Sequence, residues 1–146
     1  MSFRKKKEIS TLPIDIEEKT VKVYYIYKTV MEDEIDEEIL YKKAFSYVDE
    51  NEEYDTICFK DNIWFGVSQN CNTCIYIDFD EEQGMDPTSA YKLVDSKIWR
   101  LNTGFTFRDN NYKKIIITST KAPNSMFTEN KRWQNILKSF TVVQLD

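Results

Sequence analysis

Short strand-like runs, each closed by a polar turn, constrain the fold of this chain more than any other feature. Residues 20–27 are β-branched or aromatic almost throughout, the composition of a strand. Residues 54–60 and 63–68 repeat that composition on either side of Asp61-Asn62, a two-residue hairpin signal. Asn70-Cys71-Asn72-Thr73 reads as the next turn and residues 74–80 as the next strand. Alternation there predicts Ile75, Ile77 and Phe79 on one face and Cys74, Tyr76, Asp78 and Asp80 on the other. A further hairpin is predicted from 104–108 through Asp109-Asn110-Asn111 to 112–120, with a short edge strand at 141–145.

Helical spacing interrupts these strands three times. Residues 33–48 are rich in Glu, Leu, Lys and Ala, yet their apolar members (Ile35, Ile39, Leu40, Ala44, Phe45, Tyr47, Val48) do not share one narrow stripe. Within 88–101, Tyr91, Val94, Ile98 and Leu101 recur at helical spacing. The last helix follows Pro123-Asn124-Ser125, with Met126, Trp133, Ile136, Leu137 and Phe140 as its buried stripe. The expected architecture is α+β: a mainly antiparallel sheet of hairpins in a meander, with about three helices. Only three Gly and three Pro occur and no repeat or linker breaks the chain, so residues 1–146 are expected to form one domain.

Composition narrows the chemistry. Hydrophobic residues make up 41% of the 146, enough for a core and too many for a disordered chain. Apolar runs such as Ile115-Ile116-Ile117 are far too short to span a membrane. The basic run at residues 4–7 has no apolar stretch behind it, unlike a signal peptide, so a cytoplasmic location is expected. Three cysteines, an odd number, argue against a secreted disulfide framework. There is no histidine, which removes the commonest general base and metal ligand and excludes every triad built on one. The chain is therefore expected not to be an enzyme and to carry no cofactor.

Charge is distributed unevenly. Residues 32–86 hold 17 of the 25 carboxylates and three cations (Lys42, Lys43, Lys60), a local net charge of −14. Residues 1–31 carry +3 and residues 87–146 carry +6. The acids form three clusters, at 32–38, 49–55 and 78–86. A basic protein partner is expected on Asp33, Glu34, Glu37, Glu52, Glu53, Asp78, Asp80, Glu81 and Glu82, with Tyr41, Tyr54 and Tyr76 supplying buried contact.

Four other patterns are weaker. Cys71-Asn72-Thr73-Cys74 is a CxxC, but it spans a turn rather than opening a helix, and Cys58 alone remains as a further soft ligand. Residues 78–86 place acids as a calcium loop does, but the glycine falls one place late and Ser89 stands where a bidentate glutamate belongs. Asp78 and Asp80, about 7 Å apart on one strand face, have the spacing of a carboxylate acid/base pair and equally of a solvated sheet face. Phe105 and Phe107 beside Arg108, Lys113 and Lys114 resemble a base-stacking surface, but the same period of two reads equally well as a core face. The acidic segment opposes a phosphate backbone, so no nucleic-acid partner is expected.

Ile63-Trp64-Phe65-Gly66-Val67-Ser68-Gln69-Asn70, continuing through Ile75-Tyr76-Ile77-Asp78-Phe79-Asp80 to Gly84, resembles the core of the SUKH superfamily. In that family an aromatic strand passes through a small polar turn into a strand ending in aspartate. The resemblance implies an immunity protein that neutralises a bacterial toxin. The function expected is thus stoichiometric inhibition of a basic, nuclease-like toxin domain. The alternative is a scaffold or chaperone-like module with an apolar peptide groove, and a carboxylate enzyme ranks below both.

Overall fold

A computed structural model describes residues 18–68 and 70–146; the basic run at 4–7, the Pro13 segment and Gln69 lie outside the described residues. In chain order the elements are β1 (Lys22–Tyr27), α1 (Glu34–Phe45), β2 (Asp55–Lys60), β3 (Ile63–Phe65), β4 (Thr73–Tyr76) and α2 (Pro87–Val94). They continue with β5 (Arg100–Asn102), β6 (Phe107–Asp109), β7 (Lys114–Ser119), α3 (Lys131–Ile136) and β8 (Thr141–Gln144).

The apolar run of β7 sets the architecture. Its residues from Ile115 to Ser119 are all buried, so the strand is covered on both faces. Such a strand belongs in the middle of a parallel sheet between two layers. The main sheet has the order β3-β2-β4-β7-β1-β8, and only the β2–β3 pair is antiparallel. The expected mainly antiparallel sheet is therefore corrected to a mostly parallel one. Polar turns between strands carry no information on direction, whereas crossover elements such as α1, between β1 and β2, return the chain to start the next strand the same way.

Local pairing follows the turn chemistry where that chemistry is decisive. Asp61 and Asn62 both adopt left-handed backbone (φ 53° and 64°), the conformation of a type I′ turn, and join β2 to β3 as expected. The expected hairpin from β3 into β4 is absent, because β4 crosses to the far side of β2 and pairs parallel with it. The hairpin expected between 104–108 and 112–120 is replaced by β5–β6, a separate two-stranded sheet, while β7 joins the main sheet. Buried Asn110 enforces that separation. Its side chain donates to the Lys92 and Leu93 carbonyls (2.8 and 2.9 Å) and accepts from the Tyr112 N–H (3.2 Å), pinning the chain under the end of α2. The helix predicted over 88–101 accordingly stops at Val94, and Leu101 is buried in β5.

Two cores lie on opposite faces of the sheet. One face carries Val23, Tyr25, Tyr76, Ile115 and Ile117 against Leu93 of α2 and Trp133 of α3. Asn130 caps α3, accepting from the Trp133 N–H at 2.8 Å, and the Trp133 ring stacks on Phe79 at 5.7 Å. The cap expected at Asn124-Ser125 instead belongs to a separate 3₁₀ turn, Pro123–Ser125. The other face carries Ile26, Ile75 and Ile116 against Leu40 and Ala44 of α1. No helix among the described residues is long and apolar enough to cross a membrane.

Strand β4 departs from the alternation read in the sequence. All four of its residues are buried, and Asp78 (φ 61°) turns the chain out of line. Ile75 and Phe79 consequently enter opposite cores, and Cys74 and Tyr76 face the interior rather than water. Beyond β3, Gly66 has φ +86°, and a Cβ there would overlap the Thr56 carbonyl oxygen. Gly66→Ala combines that overlap with a left-handed backbone, so we expect it to lower the unfolding free energy by about 2 kcal/mol or more in urea denaturation. A parent-like midpoint would contradict this placement of the chain.

Candidate functional site

The carboxyl ends of the parallel strands carry a concave polar surface. After β1 the chain passes to the face of the sheet occupied by α1, and after the neighbouring β7 it passes to the face occupied by α3. Adjacent strands whose connections leave to opposite faces open a crevice at their carboxyl ends. A cleft of about 240 Å³ lies there, lined by Glu37, Tyr41, Asp78, Asp80, Gln83 and Thr120, with Met31 and Phe79 beneath.

Each acid at this end has a local reason for its place. Asp33 caps α1, accepting from the Ile35 and Asp36 N–H groups at 3.0 and 3.2 Å. Glu34, Asp36 and Glu37 occupy the first turn, where carboxylates offset the positive end of the helix dipole. Asp36 also accepts from the Glu32 N–H (2.9 Å) and pairs with buried Lys28 (3.0 Å), and those two contacts hold its carboxyl below the usual range. Asp80 caps the 3₁₀ turn Glu81–Gln83 and pairs with Lys121 at 3.2 Å, and Lys121 also reaches Glu82 at 3.3 Å. The Tyr41 hydroxyl donates to Asp78 at 3.3 Å; burial, then the Asp78 and Glu37 charges, push that phenol upward. Glu81 accepts from the Phe127 N–H at 3.3 Å.

Two of the three acidic clusters therefore meet at one end of the molecule. Asp33, Glu34 and Glu37 from α1 join Asp78, Asp80, Glu81 and Glu82 from the loop after β4. The middle cluster does not join them. Glu52, Glu53 and Tyr54 precede β2 and lie at the opposite, amino-terminal edge, roughly 20 Å away along the strands. Glu52 is also committed internally, accepting from Lys114 at 2.8 Å and from Thr73 at 2.6 Å. Tyr76 is 4% exposed in the core with its hydroxyl accepting from the Phe59 N–H, so its expected role as a contact residue is corrected.

The outward face of α1 carries what charge reading missed. Leu40 and Ala44 alone are fully buried, while Ile35, Ile39 and Phe45 are 63%, 43% and 40% exposed. Ile35 and Ile39 are one helical turn apart and project to solvent beside Glu38. Phe45 meets Tyr54, also 40% exposed, edge to face at 5.8 Å. The apolar positions along 33–48 thus divide into a buried stripe (Leu40, Ala44), an outward pair (Ile35, Ile39) and Phe45, which turns toward Tyr54.

Neither a family model nor a curated protein sequence matches this chain.

The cysteine motif enters β4. Burial pushes both thiols upward, Cys71 half-buried beside Asp55 and Ser68 and Cys74 fully buried, which is the opposite of the activation a redox pair needs. No group of three Cys, Asp or Glu with metal-holding geometry occurs among the described residues, the calcium-like loop included. Phe105 and Phe107 are exposed at the β5–β6 tip rather than packed in a core.

The internal tie at the amino-terminal edge has a pH signature. Burial alone would raise the Glu52 carboxyl, but hydrogen bonds from Lys114, Thr73 and the Asp49 N–H win and bring it from 4.5 to about 2. A depressed folded pKa contributes stability that is complete above the unfolded value and is lost as pH falls toward the folded one. We expect Glu52→Gln to be less stable than the parent above about pH 5. The difference should shrink as pH falls from about 4.5 toward 2, read from denaturation midpoints. A pH-independent difference would contradict the ion-pair assignment.

Proposed function

We propose that this protein acts by stoichiometric binding, as an immunity-type inhibitor of a basic, toxin-like protein partner. The observation that carries this reading is the outward face of α1. There Ile35 and Ile39 are exposed on an acid-rich helix whose inner stripe already satisfies the fold. Exposed apolar side chains with a charged border, Glu34 and Glu38 toward the amino end of the helix and Lys42 and Lys43 toward its carboxyl end, have the composition of a docking surface, with a core that excludes water and a rim that selects the partner. The crevice end, with Glu34, Glu37, Asp78 and Glu81, extends the same negative field beside it. Carboxylates there would occupy positions the partner reserves for phosphates, and occlusion would be the mechanism of inhibition.

The test pairs the full chain with the product of the adjoining reading frame. We expect a one-to-one complex whose affinity falls at least tenfold with Ile35→Arg or Ile39→Arg, both exposed positions that leave the melting temperature unchanged. Glu34→Lys with Glu38→Lys should slow association and flatten its salt dependence. A complex indifferent to all four substitutions would overturn the assignment of this face, and an unrelated enzyme operon around the gene would overturn the immunity role.

A further inference from the structure

One helix does not cover a six-stranded sheet. At about 4.8 Å per strand the sheet is roughly 24 Å wide, and a helix covers about 10 Å of it. α1 packs over β7 and β1, with Leu40 and Ala44 reaching Ile26, Ile75 and Ile116. On the same face beyond β4, Thr56, Cys58 and Lys60 of β2 are all exposed. Phe65 of β3 lies opposite Cys58 in register and is 49% exposed. Their neighbours Ile57, Phe59 and Trp64, which point to the other face, are buried. Among the described residues, β2 and β3, two of the six strands, therefore leave an open floor on the α1 side about one helix wide.

The wall of this floor has a sign. Glu34, Glu38, Tyr41 and Phe45 follow one another at spacings of four, three and four, one stripe of α1. Tyr41 reaches Asp78 at the end of β4, and Phe45 reaches Tyr54 at the start of β2, so the stripe faces the bare side. The wall is acidic toward the carboxyl end of the strands and aromatic toward the amino end. Among the described residues no cation lies within ion-pair distance of Glu34 or Glu38. Lys60 stands at the outer corner, and Arg108 of β6 lines a concavity together with Phe65.

We infer that this floor over β2 and β3 seats a helical segment of the basic partner, laid alongside α1. Its apolar residues rest on Cys58, Phe65 and the Phe45–Tyr54 pair, and its Lys or Arg residues meet Glu34 and Glu38. A six-residue strand is about 20 Å long, the length of a helix of about 13 residues. This inference rests on the binding reading above and names the seat and the shape of what fills it. Helix-in-groove recognition of this kind takes its energy from apolar anchors and its selectivity from the flanking charge.

Cys58 supplies the readout, since it is exposed on the floor while Cys74 is buried. The experiment alkylates the full-length protein with a maleimide and reads each cysteine by peptide mass mapping. The probe is a synthetic 14-residue helix with leucines on one face and arginines flanking them; its twin carries glutamates instead. We expect the arginine peptide to slow Cys58 alkylation at least tenfold and the glutamate twin to leave it unchanged. Phe65→Ser, and separately Glu34→Lys with Glu38→Lys, should abolish the protection. Equal protection by both peptides, or by neither, overturns the inference. So does a Cys58 already as slow as Cys74 in the free protein, because the chain then covers its own floor. Protection that grows with protein concentration alone assigns the seat to a second copy and also overturns it. The two readings fail separately. A partner that binds through Ile35 and Ile39 but leaves Cys58 reactive removes the seat and keeps the binding function. Peptide protection without any toxin-like partner does the reverse.

Discussion

Burial of a strand on both faces is the constraint on which this structure depends. A parallel strand such as β7 has no wet side, so it demands a layer above and a layer below. Two helices and the β5–β6 sheet meet that demand on one face, with Trp133 and Phe79 stacked at the centre. On the other face a single helix does so among the described residues, packing over β7 and β1 with their immediate surroundings. The crevice at the carboxyl ends, the outward stripe of α1 and the bare floor over β2 and β3 all follow from that inequality of cover.

Much of the secondary structure was legible because its causes are local. Asp61-Asn62 takes two positive φ angles at little cost and so announces its hairpin. Asp33 opens α1, and the β-branched run ending at Tyr27 is a strand wherever it is placed. Strand direction was not legible in this way. Tyr25 pairs with Ile117 across most of the chain, and no turn residue records that choice. The one trace of it was Ile115-Ile116-Ile117, three consecutive apolar residues where a half-buried strand would alternate.

The candidate site was legible only in part, and for the same reason. Charge counting located the acids but not their positions in space. Glu37, Tyr41, Asp78 and Asp80 share a cleft because Asp78 bends the chain after β4, a left-handed residue that alternation reads as one more strand position. Glu52 looked like its neighbours but is held by Lys114, so it fastens the sheet edge instead of facing a partner. Much of the negative charge serves the fold before it serves anything else, as helix caps and internal ties. The informative residues were apolar ones in an unexpected place, and their signal was the failure of Ile35 and Ile39 to fall on the stripe of Leu40 and Ala44.

The placement of the aromatic residues divides the molecule optically. Trp64 and Trp133 belong to the core on the side away from α1, and Trp99 is tied to Asp95 just beyond α2. Tyr24, Tyr41, Tyr47 and Tyr54 lie on or beside the α1 side. Tryptophan emission therefore reports the integrity of one core and of the edge at β3, where Trp64 and Phe65 line one concavity. A ligand on the outward face of α1 would leave the indole spectrum almost unchanged while altering tyrosine absorbance, whereas one seated on β3 would reach the surroundings of Trp64.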